Sequence, residues 1–303
     1  MIYRKFNDII TSKIVPGLVV DEVFLFKSLK EAFYGNAFSD IVHGSHGMVD
    51  FYVPGYTPSK LVRCEVGDLL IVAFNNNEIR YTIMQNKTMH KKKYFGTNPL
   101  IIPVKQHYVL ANKPNIIPVG KSPYLHNSLL SSALLDSVGS YGVFYKTKLV
   151  YPPHSYLFNM NYMIANRLSF NSKVTSTQLI KKSKRKVKFI GEINNVVIKK
   201  GHKEIEACTN LSNFEYALRH MLIGTPVSLS KGSNNLTIIK IISLIIERDS
   251  SNGISENQVR NNFLRVVRRL EIFGTEKDYD DYKSTKLPDI VLIDNTQVNE
   301  NDF

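Results

Sequence analysis

Asp68, Gln85 and Lys87 are the residues whose types and spacing best support chemistry. Asp68 stands at the head of an apolar run, Leu69 to Phe74, and Gln85-Asn86-Lys87 closes the next one. A carboxylate and an amide carbonyl are hard oxygen donors of the kind that Mg²⁺ or Mn²⁺ prefers. A lysine beside them can orient or deprotonate water, or steady charge on a phosphate. A metal ion held there polarises a phosphate and lowers the pKa of its bound water.

That chemistry needs the three side chains on one face, and the intervening sequence supplies a hairpin that puts them there. Leu69 to Phe74 reads as a buried strand. Asn75-Asn76-Asn77-Glu78 is turn chemistry, because Asn tolerates positive φ and bonds to nearby backbone. Ile79 to Gln85 alternates, with Ile79, Tyr81, Ile83 and Gln85 on one side. A two-residue turn and a four-residue loop give the same register, which sets Asp68 opposite Gln85. Opposed residues of an antiparallel pair share a face, and Lys87, two residues on, shares it too.

The acid, the gap and the Gln-x-Lys resemble the PD-(D/E)XK nuclease superfamily, with Gln85 in the position of the second acid. Cys64-Glu65-Val66-Gly67-Asp68 and Ile83-Met84-Gln85-Asn86-Lys87 are similar to a bacterial branch that uses Gln-x-Lys; the similarity runs from Asp21 to Met89. The resemblance implies an α/β fold with a restriction-endonuclease-like central mixed sheet flanked by helices. It also implies a Mg²⁺-dependent endonuclease acting on double-stranded DNA. Asp68 and Gln85 would hold the metal and Lys87 would act on water or phosphate. A restriction or anti-phage role fits, alone, as a homodimer or with a partner protein of a defence system. Many such nucleases carry a further acid on the first helix. Asp21 can cap a helix to about Tyr34, and Glu22 lies on its apolar stripe with Leu25, Phe26, Leu29 and Phe33, so Glu22 is a further metal-ligand candidate. Glu65 is a second-shell candidate. Strict alternation sends it to the other face, and a bulge at Gly67 would bring it back.

Charge points to a polyanion. Residues 51–200 hold 22 Lys/Arg against 5 Asp/Glu, a net of +17 that exceeds the whole chain's +13. Lys91, Lys92 and Lys93 follow the Gln-x-Lys directly and can grip phosphates. Lys184, Arg185 and Lys186 belong to a basic run, 181–188, that leads into a hairpin expected to turn at Asn194-Asn195. Two further readings stay open: a catalytically inactive nucleic-acid-binding module of the same fold, and a basic interaction protein that binds an acidic partner.

The expected organisation is a nuclease core with a basic hairpin at its end over 1–200. A helical region follows over 201–275, and a poorly ordered acidic tail over 276–303. Strands are expected at Met48–Val53 and Gly142–Leu149, and an edge strand or irregular segment at Leu100–Leu110. Helices are expected over 125–138, 211–222, 234–248 and 256–272. Arg260, Arg265, Arg268 and Arg269 of the last suggest a helix-turn-helix only weakly.

Other chemistries find little support. Cys64 and Cys208 are the only cysteines, too few for a disulfide framework or a zinc site. His43 and His46 read as turn residues. Lys121-Ser122 lacks the glycine spacing of a phosphate loop. The first twenty residues have no apolar core of a signal peptide, and Thr237 to Ile246 is too short to span a membrane. A cytoplasmic protein without a membrane partner is the expectation.

Overall fold

The structure, a computed structural model, describes residues 2–14, 19–33, 37–38, 48–56, 59–89, 100–119, 128–147, 157–229, 236–251, 258–272 and 289–297. It is an α/β fold in which a mixed sheet lies between helices. The strands are β1 (Ala37–Phe38), β2 (Met48–Tyr52), β3 (Leu61–Glu65), β4 (Leu69–Phe74), β5 (Ile79–Met89), β6 (Leu100–Pro103), β7 (Ile117–Pro118) and β8 (Gly139–Lys146). They continue as β9 (Phe158–Ile164), β10 (Leu168–Phe170), β11 (Lys184–Phe189), β12 (Val196–Lys199), β13 (His202–Ile205), β14 (Ala207–Cys208), β15 (Thr225–Pro226) and β16 (Asp289–Asp294). The helices are α1 (Ile2–Lys13), α2 (Glu22–Ala32), α3 (Val104–Asn112), α4 (Ser176–Ile180), α5 (Leu211–Arg219), α6 (Leu236–Ser251) and α7 (Gln258–Arg269).

The central sheet runs β1-β16-β4-β5-β8-β9-β14, with β15 also on β5. The pairs β16–β4 and β5–β8 are parallel and the others antiparallel. Alternation along β4 feeds two cores. Leu70, Val72 and Phe74 pack with α3, α6 and α7, while Leu69, Ile71 and Ala73 pack with α1, α2 and α5. Every residue of β4 is buried, which explains its uninterrupted apolar run. β4 and β5 pair in the expected register, from Leu69 with Met84 to Phe74 with Ile79. The Asn75 carboxamide oxygen fixes the turn by accepting from the amides of Asn77 and Glu78 at 2.9 and 2.8 Å.

Several expectations need correction. The acidic tail contains β16, whose Ile290, Val291, Leu292 and Ile293 are buried in the two cores. The basic run does not form the expected hairpin. Instead β11 pairs with β10 and with β6, and β12 pairs with β13. The helical region is joined to the central sheet, because β14 and β15 pair with β9 and β5. The edge strand expected over Leu100–Leu110 is present only as β6, at the edge of its sheet; Pro103 ends it at the N-terminal boundary of α3, where a missing N–H costs nothing. The helix expected over 125–138 is a run of turns from residue 128 and a 3-10 turn at Asp136–Val138. Among the described residues no helix is long and apolar enough to cross a membrane. Both cysteines are free and buried.

Candidate active site

The site forms where β5 outruns β4. Among the described residues β5 pairs beyond Met84 only with β8, and no described strand lies on its other edge. Asp68 closes the hairpin with its own amide on the Met84 carbonyl at 3.0 Å. Its carboxylate then turns into the gap and accepts from the Asn86 amide at 2.6 Å and from Gln85 Nε2 at 2.7 Å. Gly67 makes this approach possible, because a Cβ there would lie 2.5 Å from Ile83 Cγ2.

Lys87 and Glu22 meet across the same gap. Lys87 Nζ donates to Glu22 Oε1 at 3.0 Å and to the Asn86 carbonyl at 2.7 Å. Glu22 arrives because Asp21 caps α2, accepting from the Phe24 amide at 2.8 Å. Glu65 joins through a residue that the sequence reading missed. Gln106 Nε2 donates to Gln85 Oε1 at 2.8 Å and to Glu65 Oε2 at 3.3 Å. No bulge is needed, because β3 belongs to a different sheet and alternation is not continuous through Val66-Gly67. The signal for Gln106 was one amide inside an apolar segment. Tyr141 is a second omission: it sits beside Gln85 in the β5–β8 register, and its hydroxyl is buried without a partner among the described residues.

The cluster is more enclosed than the expected solvent-open hairpin end. Gln85 is 1% exposed. Burial raises the Asp68 pKa against the opposing pull of the Asn86 amide and Lys87. Burial also lifts Glu65 to about 7, reinforced by the charge of Asp68. A folded-state pKa above the unfolded one means that the native protein binds the extra proton between about 4.5 and 7. Stability is therefore fully present below that window and is lost as pH rises through it. Glu65→Gln should remove this loss, raising stability at pH 8 by on the order of 2 kcal/mol, discounted for partial exposure. Denaturant melts at pH 5 and pH 8 check it; equal pH dependence in both proteins would refute the placement of Glu65.

The donor set is hard and oxygen-rich, but its geometry is partly self-satisfied. Gln85 turns its NH₂ to Asp68, and among the described residues no three His, Cys, Asp or Glu side chains are grouped to hold a metal. Gln106 Oε1 is a buried atom without a partner among the described residues. If both amides exchanged ends, Gln85 would present its carbonyl beside Asp68 and donate to that orphaned oxygen. Glu65, with its raised pKa, can supply the proton that its contact with Gln106 then requires. The residues fit a hard divalent cation on that condition, with Asp68 and Gln85 as ligands and Glu22 within reach of the same gap.

The basic strand adjoins this cluster. Lys184 pairs with Pro103, and Ser183 accepts from the Val104 amide, so β11 starts beside the helix that carries Gln106. Lys184, Lys186 and Lys188 are exposed on one face. Arg185 faces the other way, donating to Gln178 at 3.1 Å and lying 5.0 Å from the Phe170 ring, so it packs against the protein. Lys188, which alternation would have found, takes its place in the row. Lys91, Lys92 and Lys93 lie outside the described residues, as do His43, His46, Lys121 and Ser122.

Compared with known protein families, curated proteins and solved structures, the chain matches none.

Proposed function

We propose that the protein is a metal-dependent endonuclease of restriction-endonuclease-like design, hydrolysing phosphodiester bonds in nucleic acid. The observation that carries this reading is the convergence of Asp68, Gln85, Lys87 and Glu22 at the open end of one hairpin. Mg²⁺ or Mn²⁺ bound by Asp68 and the Gln85 carbonyl would polarise the scissile phosphate and acidify a water. Lys87 orients that water or steadies the phosphate oxygens, and Glu22 keeps the ammonium at the gap. Gln106 fixes which end of the Gln85 amide faces Asp68. The lysines of β11 hold the nucleic-acid backbone beside the site.

The glutamine is the test. Gln85→Glu puts a carboxylate against Asp68 in a buried setting, which destabilises the metal-free protein by about 2–4 kcal/mol. Mg²⁺ then restores the melting temperature, and cleavage persists at an equal or lower Mg²⁺ requirement than in the parent. Thermal melts and cleavage measured across a Mg²⁺ titration read both effects. A Gln85→Glu protein whose melting ignores Mg²⁺ would contradict metal binding at this position.

A second reading has its own support. Asp68 already caps the free edge of β5, and the charged groups Asp68, Lys87 and Glu22 are each bonded within the gap. This suits a catalytically inactive module that binds nucleic acid through the same basic surface. Salt-sensitive binding without Mg²⁺-dependent cleavage distinguishes it.

A further inference from the structure

We propose that the exposed face of α7 docks B-form duplex DNA, apart from the lysine row beside the candidate active site. This rests on the endonuclease reading for its class of partner and deepens it by naming the form of nucleic acid. α7 carries four arginines and no acidic residue. Asn262, Phe263, Leu264, Val266 and Val267 face inward. Gln258, Asn261, Arg265, Arg268 and Arg269 are exposed. Their spacing gathers them into one stripe about 100° wide. These side-chain types read base edges in the major groove and bind phosphates.

Arg265 is held for such a task. Asp294 Oδ2 accepts from Asn262 Nδ2 at 2.6 Å, and Asn262 Oδ1 accepts from Arg265 Nη2 at 2.7 Å. Asp294 is itself fixed by the Thr296 amide and hydroxyl. A relay through a buried asparagine thus aims an exposed guanidinium without neutralising it by direct contact with the acid. Arg268 shares an exposed pair with Glu247 of α6 at 3.3 Å, which competes weakly with a phosphate.

Size and position select the duplex. Twelve residues make a helix about 18 Å long. A helix of that kind enters the B-form major groove, whereas the deep, narrow groove of A-form RNA excludes it. α7 packs against β4 on the face of Leu70, Val72 and Phe74, with Phe263 edge-on to Phe74 at 5.3 Å. Phe74 lies six residues from Asp68, or about 20 Å along the strand.

The test is fluorescence anisotropy with the full chain in EDTA, using one sequence as DNA duplex, RNA duplex and single-stranded DNA. Arg265→Gln/Arg269→Gln should weaken DNA-duplex binding at least about tenfold and lower the log–log salt slope by about two. Single-stranded DNA binding should hold. Arg269→Gln, which touches neither Asn262 nor Asp294, guards against a folding artefact and should lower the slope by about one. Equal losses on all three nucleic acids, or parent-like duplex binding by the double variant, would overturn the proposal. The two readings fail separately. If the parent cleaves nothing but the α7 variants lose duplex binding, only the endonuclease reading falls. If cleavage needs Asp68 while these variants bind like the parent, only the α7 proposal falls.

Discussion

Lys87→Ala should lower nucleic-acid cleavage by about 10²–10⁴-fold and leave binding within about twofold. The ammonium sits between Glu22 and the open end of β5, so its loss removes a group that acts on water or phosphate and not a metal ligand. The fold should tolerate the change, because the Lys87–Glu22 pair is partly exposed and contributes at most about 1 kcal/mol. Single-turnover cleavage and binding measured on the same preparations separate the two effects. A Lys87→Ala protein that cleaves like the parent would remove this hairpin from consideration as the active site.

Truncation after Ile272 should abolish cooperative folding. It deletes β16, which lies between β1 and β4 in the central sheet. Ile290, Val291, Leu292 and Ile293 are each at most 7% exposed. Burying four such side chains contributes about 6–12 kcal/mol, comparable to the whole stability of an ordinary domain. Deletion also bares the edge of β4, a continuous apolar strand prone to pairing with other chains. The point variant Leu292→Ala should cost about 2–5 kcal/mol and unfold at a lower denaturant concentration with an unchanged slope. A truncated chain that melts like the parent would show that β16 is dispensable.

Local chemistry was legible and distant pairing was not. The Asn75 turn and the alternation from Ile79 fix the β4–β5 register within twenty residues, and the meeting of Asp68 with Gln85 follows from it. The Asp21 cap and the helical stripe behind it locate Glu22 in the same way. β16 escaped notice because four apolar residues in an acidic tail carry no pattern, and its parallel pairing with β4 spans more than two hundred residues of chain. β11 was misassigned for a related reason: its partners include residues 100–103, not the next strand in sequence. α3 was obscured by its β-branched and aromatic residues and by Pro103, whose place at a helix start only tertiary packing reveals. Gln106 was lost with it, and the route by which Glu65 reaches Gln85 was missed because the chain changes sheets between Glu65 and Leu69.

In the proposed enzyme Asp68 supports metal-dependent hydrolysis and does more than cap the edge of β5. Asp68→Asn separates these roles, since its carboxamide oxygen can still accept from the Asn86 amide while its charge is gone. The direct measurement is conversion of supercoiled plasmid by the parent and by Asp68→Asn, each with Mg²⁺ and with EDTA, at matched melting temperatures. Cleavage is expected only from the parent with Mg²⁺. Cleavage by Asp68→Asn at the parental rate, or parental cleavage that persists in EDTA, would contradict it.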